Sequence, residues 1–383
     1  MIGNKIAAVL EFGTSKVTIM ACKLNKESGY TVISTCSAAY SGYYKGKFID
    51  SFNELFVIVK NLIVNAQNQS RFKFKEIYVG ANAAFTVLAN SQVSLTFNES
   101  RTITSADTVK LFKKANNFDD TKGYTLIDAV AYEYIVDGEK CESIENKTAT
   151  SIGGEFSFIF VENSFISKVE KLLSSLGLKM KGLISVEKAQ SEFILTKQQR
   201  SKVPILVDIG AGSATVTVCV NSGFAVMENI YDGGAYITED LCDVLNLDFE
   251  TAETLKGKVN LNLHCGDFDY YNVNGKTIQC KTVNDIIIAR IEAISDKIAA
   301  IVENVSNRLI NETEMYLTGG ALTHIKGAIA LLSESLGGIK ITSPTETGLQ
   351  LYKPEDTAAY SLLDIAAKKV LEKENTFINL LIM

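Results

Sequence analysis

The chain has 383 residues, 46% of them hydrophobic, and a formal net charge of −6 at pH 7. This length and apolar content predict a large core shared by two domains and exclude disorder as the general state. Lysine and arginine form no clustered block in this acidic chain, so the sequence offers no electrostatic basis for binding nucleic acid.

The seven cysteines contain no C-x-x-C pair, and two histidines are too few for the usual zinc-ligand spacing. We therefore expect small core residues or free thiols in a reducing cytosol. Glu11 interrupts the apolar run near the N-terminus, which argues against a signal peptide. No run approaches the roughly 20 apolar residues that span a bilayer. The sequence thus predicts a soluble protein, or one attached to a membrane surface.

The first element along the chain is an apolar strand, a glycine turn and a second strand, AAVLEFGTSKVTIMACKLNKESG at residues 7–29. The same plan recurs in VPILVDIGAGSATVTVCVNSG at residues 203–223. β-Branched and alternating residues follow each turn, which predicts two β-hairpin tips. A G-x-G-x-x-G dinucleotide fingerprint, which opens a helix, is therefore excluded, and no P-loop is present.

Between the two tips, residues 76–161 are predicted to form mainly strands, in the segments EIYVGANAAFTVLA, QVSLTF, TLIDAVAYEYIV and EFSFIFV. One helix is predicted to begin after Thr104, with Ser105 or Asp107 as its cap. A further helix is predicted near residues 164–176.

The two tips are predicted to grip a polyphosphate from opposite sides. Backbone N–H groups at glycine turns and small hydroxyl groups can face an anion. The residues concerned are Gly13, Thr14, Ser15 and Lys16 in the first tip and Gly210, Gly212 and Ser213 in the second. Glu11 and Asp208 precede the turns and are placed to hold magnesium through water. An ordinary hairpin explains either tip alone equally well, but the repetition favours the phosphate site.

Residues 285–310 have the pattern of an amphipathic helix with a broad apolar face. The face consists of Ile287, Ile291, Ile294, Ile298, Ile301, Val305 and Leu309, and we expect it to contact the core. Arg290, Lys297 and Arg308 fall on more polar positions, where a solvated side chain is the simplest interpretation.

Residues 314–337, EMYLTGGALTHIKGAIALLSESLG, are predicted to form a short strand, a turn at Gly319 and Gly320, and a helix through Ile325, Ile329 and Leu332. A helix that begins at a double glycine can receive a phosphate or a ribose. Close packing explains such glycines as well, so this element gains weight only beside the two tips.

These elements resemble a known superfamily. LEFGTSKV, LVDIGAGSATVTV and YLTGGALTHIKG are similar to the phosphate-1, phosphate-2 and adenosine motifs of the actin, Hsp70 and sugar-kinase proteins. YTLIDAVAYEYIVDGEK, IYDGGAYITEDLCDVLNLDFETAETLK and KPEDTAAYSLLDIA resemble segments of the bacterial cell-division FtsA family, in the same order along nearly the whole chain.

The resemblance implies an α/β, actin-like two-lobed ATPase fold with an inserted α+β subdomain of the FtsA type in the first lobe. ATP would lie with Mg²⁺ in the cleft between the lobes. The implied segments are 1–76 for the first-lobe core (1A), 77–163 for the insert (1C), 164–202 for the return to 1A, 203–345 for the second lobe (2A and 2B), and 346–383 for a closing helix and C-terminal tail.

The resemblance also assigns roles to individual residues. It implies phosphate contacts at both tips and a water-mediated magnesium contact for Asp208. It further implies contacts with the sugar from Gly233 and Gly234, with the adenosine from Gly319 and Gly320, and with the adenine from Glu253 and Lys256. A solvated helix face explains Glu253 and Lys256 equally well.

Two positions depart from the family pattern. Glu11 stands where the first motif usually carries Asp, and Ala214-Thr215 stand where the second usually continues Thr-Asp. The longer carboxylate retains a magnesium ligand with altered geometry. The missing acid predicts slow or undetectable ATP turnover, and no catalytic residue is assigned.

The resemblance implies binding of the acidic FtsZ C-terminal tail at Arg290 and Lys297. It also implies self-association into filaments, contacts with other division proteins, and a peripheral location on the cytoplasmic face of the cell membrane at the division site. The apolar residues of the tail, Phe377, Ile378, Leu380 and Leu381, follow a basic stretch and suit a weak membrane anchor. A docked strand or a frayed end explains them as well.

Two alternative functions stay open. A small-molecule kinase needs a catalytic base in the cleft, and the sequence suggests no acid there beyond Glu11 and Asp208. A pilus-assembly adaptor with the same insert would bind a short peptide from a membrane partner in place of the FtsZ tail.

Overall fold

The computed structural model describes residues 5–25, 29–118, 121–310, 312–343 and 353–371. The strands are β1 (Ile6–Phe12), β2 (Lys16–Asn25), β3 (Gly29–Ala39), β4 (Tyr43–Tyr44), β5 (Lys47–Phe48), β6 (Glu76–Ala81), β7 (Thr86–Thr102), β8 (Tyr124–Val136), β9 (Glu139–Cys141), β10 (Thr148–Glu162), β11 (Lys179–Ser185), β12 (Ile205–Ile209), β13 (Ala214–Val220), β14 (Gly223–Ile230), β15 (Tyr270–Val273), β16 (Lys276–Gln279), β17 (Met315–Thr318) and β18 (Ile341–Thr342).

The helices are α1 (Phe52–Ser70), α2 (Ser105–Ala115), α3 (Asn163–Ser175), α4 (Val186–Ile194), α5 (Lys197–Arg200), α6 (Gly234–Leu245), α7 (Phe249–Lys256), α8 (Cys280–Glu303), α9 (Gly320–Thr323), α10 (Ala328–Ser335) and α11 (Thr357–Leu371). In the part of the chain that the structure describes, no helix is both long and apolar enough to cross a membrane.

Two five-stranded sheets share one topology. Their strand orders are β11-β6-β1-β2-β3 and β18-β17-β12-β13-β14. In each sheet the two strands of the glycine hairpin are antiparallel. The first of them is the central strand, and on its other side it pairs in parallel with β6 or β17. Glu11 lies opposite Thr18 in the first sheet, and Asp208 lies opposite Thr215 in the second. The repeated sequence plan is therefore a repeated structural unit, and the predicted hairpin tips are confirmed.

The two faces of the first sheet are covered by different helices. One face packs against α1 and α3. On the other face, α11 contacts β1, β2 and α4 through Leu362 and Leu363, which are fully buried. The C-terminal helix thus closes onto the first sheet.

The second sheet packs against α8. The predicted apolar face of this helix is confirmed for Ile287, Ile291, Ile294 and Ile298, which are fully buried. Val305 and Leu309 lie beyond the end of α8 at Glu303, but they pack against the same core.

A four-stranded antiparallel sheet, β7-β10-β8-β9, carries α2 on one face. The cap of α2 is Thr104, in place of the predicted Ser105 or Asp107. Asp107 instead completes a capping box, since its carboxylate accepts a hydrogen bond from the Thr104 amide at 2.9 Å. β6 falls within the predicted insert, 77–163, yet it pairs with β1 and β11 of the first five-stranded sheet.

Two sequence expectations are wrong between residues 260 and 340. The helix predicted after Gly320 is broken into α9 and α10, because the chain turns at Gly327 with φ +88°. The expectation of free thiols holds for the other five cysteines, but Cys265 and Cys280 form a disulfide, which ties the loop before β15 to the first residue of α8.

Candidate functional site

The two glycine hairpins meet at one end of a cleft of about 420 Å³. Each turn is closed by a backbone hydrogen bond, from the Gly13 amide to the Lys16 carbonyl at 3.0 Å and from the Gly210 amide to the Ser213 carbonyl at 2.9 Å. The tips also contact each other, because the Gly212 amide donates to the Thr14 hydroxyl at 2.8 Å. Both tips therefore present their turns to the same space.

Most residues that the sequence assigned to nucleotide or magnesium border this cleft. They are Glu11, Gly13, Thr14, Ser15, Lys16, Asp208, Gly210, Ser213, Gly234, Glu253, Lys256, Gly319 and Gly320. Gly212 and Gly233 do not line it. The Gly212 amide is already bonded to Thr14, and Gly233 lies behind the second tip, where a Cβ would collide with the Gly210 carbonyl oxygen.

The shape of the second tip is fixed from behind by α6. The amides of Gly234 and Ala235 donate to the carbonyls of Gly210 and Ala211 at 3.0 and 2.7 Å. Helix N-terminal N–H groups have no partner within their own helix, so these bonds satisfy them.

Gly319 has the strictest requirement for glycine in the cleft. Its φ is +87°, and a Cβ would lie 2.5 Å from a carboxylate oxygen of Asp208. Both the positive φ and the close approach exclude a larger residue. The start of α9 thereby lies against the Asp208 carboxylate.

Three carboxyl groups line the cleft, of which Glu11 and Glu187 are buried and Asp208 is half-buried. Burial raises the pKa of Glu11 to about 8, although Lys16 opposes the shift. Burial also raises the pKa of Asp208, while a hydrogen bond from the Gln190 amide at 2.5 Å favours its charged form. Among the residues that the structure describes, none donates a hydrogen bond to the Glu11 carboxylate.

The third acid, Glu187, was missed by the sequence reasoning. Its carboxylate accepts hydrogen bonds from the Ala83 amide at 2.6 Å and the Ser185 hydroxyl at 3.0 Å, and burial raises its pKa to about 7. In the sequence it is only an acid in the first turn of a helix, a common position. The one usable signal was Ser185, whose side chain caps α4 and fixes where that helix begins.

Two lysines of the predicted site are engaged with acids. The Lys16 ammonium lies 2.5 Å from the Asp356 carboxylate. The Lys256 ammonium donates to the Glu253 carboxylate at 2.6 Å, the Thr238 hydroxyl at 2.7 Å and the Gly234 carbonyl at 3.0 Å. Thr215 lines the cleft at the position where the sequence comparison expected an acid.

The predicted partner residues lie outside the cleft and form an ion-pair network. Arg290 donates to both carboxylate oxygens of Asp240 at 2.7 Å and to Asp232 at 3.1 Å. Lys297 lies 2.5 Å from Asp232, which is 1% exposed. Arg290 is therefore held by two internal acids, whereas Lys297 remains half exposed.

Phe377, Ile378, Leu380 and Leu381, the predicted membrane residues, lie outside the described residues. Within those residues, no group of three or more His, Cys, Asp or Glu side chains is arranged to hold a metal ion.

No family model matches the chain. The cell-division protein FtsA of Enterococcus hirae is 23% identical over 372 residues, which cover 94% of this chain and 82% of that protein. FtsA of Bacillus subtilis is 20% identical over 381 residues, covering 96% and 85%.

Two solved structures show the fold. A chain of the PilM–PilN type IV pilus biogenesis complex superposes with a TM-score of 0.64 and 16% identity, over 94% of this chain and 98% of that chain. MreB5 of Spiroplasma citri bound to AMPPNP superposes with a TM-score of 0.56 and 10% identity, over 96% of each chain. The predicted fold class is thus confirmed. The chain has an actin-like fold, and its sequence resembles the FtsA cell-division proteins over nearly its whole length.

Proposed function

We propose that the protein is an ATP-binding, actin-like cell-division protein that assembles on the cytoplasmic face of the membrane. The observation that carries the proposal is the pair of equivalent hairpin tips that face one cleft, each with an acid at the same register. Exposed turn amides can bind phosphate oxygens from two sides. The similarity to FtsA supports the role in division, and the nucleotide bound to MreB5 supports the choice of ligand.

The donor set fits a magnesium ion held through water. Glu11, which is buried, and Asp208, which is half-buried, lie on equivalent strands, and Glu11 has no donor among the described residues. Mg²⁺ retains most of its hydration shell and typically takes one or two carboxylates beside the phosphates. When bound, the ion would supply positive charge to the phosphates and to both carboxylates.

Hydrolysis is proposed to be slow. Thr215 supplies no carboxylate on the second hairpin, so Glu187 is the remaining buried acid of the cleft that is able to orient water. Both carboxylate oxygens of Glu187 already accept hydrogen bonds. Glu187 is therefore better suited to position a water molecule than to act as a strong general base. ADP production at the rate of an ordinary kinase would contradict this proposal, and Glu187→Gln should reduce whatever turnover is present.

The first test is a titration with a fluorescent ATP analogue and magnesium. Asp208→Asn keeps the side-chain shape but removes the charge, and should abolish magnesium-dependent binding. Asp243→Asn removes the same charge from an exposed position of the second lobe and serves as the matched control. If Asp208→Asn and the parent bind the ATP analogue with equal affinity in the presence of magnesium, the proposed nucleotide site between the two tips is wrong.

The FtsZ tail is proposed to bind beside α8, with Lys297 as its main anchor. Arg290 is saturated by Asp232 and Asp240, whereas Lys297 is 47% exposed and can exchange its acid for one from a peptide. Lys297→Ala should weaken binding of an acidic FtsZ-tail peptide in fluorescence anisotropy. Lys281→Ala, an exposed lysine on the same helix, should leave it unchanged.

Membrane attachment and filament formation are proposed to support each other, since weak anchors act together in an assembly. Liposome flotation of the full chain against one ending at Glu374 tests the anchor. Equal flotation of both would remove it.

The likeness to a chain of the PilM–PilN complex supports one alternative function. In it the protein is an adaptor that binds a peptide from a pilus-assembly membrane protein. A direct comparison of an FtsZ-tail peptide with such a peptide separates the two functions. Preference for the pilus peptide would replace the division role.

A further inference from the structure

One edge of the first five-stranded sheet is basic. The strands β1, β6 and β11 are neighbours and run parallel, so all three begin at the same edge. An exposed lysine lies at each of these starts: Lys5 precedes β1, Lys75 precedes β6, and Lys179 is the first residue of β11. Neighbouring strands are about 4.8 Å apart, and the Lys179 amide donates to the Lys75 carbonyl at 3.0 Å. Three lysines that are distant in the sequence are therefore neighbours in the fold.

Two more cations extend this edge. Arg71 and Lys73, both exposed, lie in the connection between α1 and β6. The acid that follows them, Glu76, is already paired with Lys181. We define the basic edge by its five cations, which are Lys5, Arg71, Lys73, Lys75 and Lys179. In a chain with a net charge of −6, the basic edge is a patch of opposite sign.

The helix α11 runs from the cleft to the basic edge. At its start, the Thr357 hydroxyl accepts a hydrogen bond from Thr318 at 2.7 Å, beside the cleft. The helix then packs along β1 and β2. Two turns before its end, Asp364 accepts a hydrogen bond from Tyr30, which lies at the start of β3 and next to the end of β2. Because β2 runs opposite to β1, the end of β2 lies at the edge where β1 begins.

The proposed membrane residues follow α11 closely. Phe377, the first of them, is six positions after Leu371, the last residue of α11. Six residues span at most about 20 Å, whatever their conformation. The apolar tail and the basic edge therefore lie on the same side of the protein, and the cleft lies on the opposite side.

We propose that the basic edge is a docking surface for the anionic headgroups of a lipid bilayer. Lysine and arginine side chains close to an anionic bilayer are attracted to it over about a Debye length. The chain as a whole is acidic, so such a bilayer attracts this edge and repels the protein in other orientations. The bound protein then holds its cleft away from the lipid. This inference rests on the proposed membrane attachment and adds the surface of the folded domain that contacts the bilayer.

The test measures binding of the full chain to vesicles of phosphatidylcholine, with and without phosphatidylglycerol. The parent should bind the anionic vesicles more tightly. Lys75→Gln combined with Lys179→Gln should weaken binding to the anionic vesicles about fivefold for each lost charge, or about 25-fold in total, and leave binding to phosphatidylcholine unchanged. Lys276→Gln combined with Lys281→Gln removes two exposed lysines near β16 and α8, and should change neither. Salt at about 1 M, where the Debye length is about 3 Å, should remove the difference between the parent and the first variant.

The orientation of the bound protein has an optical readout, because the chain contains no tryptophan. Phe72→Trp places the only indole between Arg71 and Lys73, at the basic edge. Energy transfer from this indole to dansyl-labelled lipid headgroups should be strong. Phe268→Trp places the indole at a position that is 88% exposed, in the loop before β15, and should give weak transfer at equal binding. Equal transfer from both positions would overturn the proposed orientation.

The outcomes separate this inference from the proposed membrane attachment. If the parent binds neither kind of vesicle, both are overturned. If the parent binds both kinds equally, and the variant at Lys75 and Lys179 binds as the parent does, attachment through the tail stands and the basic edge is overturned as a docking surface. If that variant loses binding to duplex DNA but not to anionic vesicles, the edge serves nucleic acid and the proposal is wrong.

Discussion

Replacing Glu11 by glutamine should stabilise the nucleotide-free protein, and increasingly so as the pH rises. The pKa of this carboxyl is about 8 in the folded chain against an ordinary value of 4.5. Between these two values the folded state retains a proton that the unfolded state releases, so the free energy of unfolding falls as the pH rises. Glutamine has a similar shape and carries no charge, so it removes this pH dependence.

The size of the effect follows from the two pKa values. Between these two pKa values, each pH unit lowers the free energy of unfolding of the parent by about 1.4 kcal/mol. Above pH 8 the total loss reaches about 5 kcal/mol. The two proteins should therefore have similar stability near pH 5 and differ by several kcal/mol at pH 9. Other groups shift as well, but they are common to both proteins and largely cancel in the difference.

Urea unfolding at pH 5, 7 and 9, without magnesium or nucleotide, measures this difference. Glu99→Gln, at an exposed position, should show no such trend. With magnesium and ATP present the order should reverse, because the cation stabilises the charged carboxylate of the parent and gives glutamine no comparable gain. If the difference in stability between Glu11→Gln and the parent stays constant from pH 5 to pH 9, the conclusion that Glu11 is buried and uncharged in the folded protein is wrong.

Three further predictions concern local structure. Gly319→Ala should destabilise the protein by more than the roughly 1 kcal/mol of a positive-φ site alone, as measured by thermal unfolding, whereas Gly337→Ala, with φ +76° and open space around it, should show only that smaller cost. Thr14→Val removes the acceptor for an amide of the other tip and should cost about 1 to 2 kcal/mol and weaken ATP-analogue binding, while Thr14→Ser should retain both. Non-reducing alkylation followed by mass spectrometry should leave Cys265 and Cys280 unmodified, and reduction should lower stability by up to about 3 kcal/mol for a loop of this length; labelling of both before reduction would contradict the disulfide.

The hairpin tips were predictable because their signal is local. A glycine turn followed by alternating and β-branched residues favours a hairpin, and this signal lies within a few residues of the turn. The apolar face of α8 was predictable for the same reason, since five isoleucines at helical spacing form one apolar face that packs against the core. Each of these predictions needed only neighbours within a few residues.

The features that sequence reasoning missed depend on contacts between distant segments. Lys16 pairs with Asp356, which is 340 residues away, so no local pattern assigns that partner. The break between α9 and α10 depends on the packing of Gly327 against the loop at residues 261–262. Glu187 becomes a candidate functional residue only because α4 places it in the same cleft as the two hairpin acids.

The two halves of the site are equivalent in topology but not in chemistry. Asp208 receives a hydrogen bond from Gln190, whereas Glu11 has no such donor among the described residues. The two tips are linked directly, through the Thr14 hydroxyl and the Gly212 amide. A phosphate that binds at the tips would compete for the Thr14 hydroxyl, which borders the cleft, so nucleotide would replace the direct contact between the tips by one that passes through the ligand. The relative position of the two hairpin tips would then depend on the bound nucleotide.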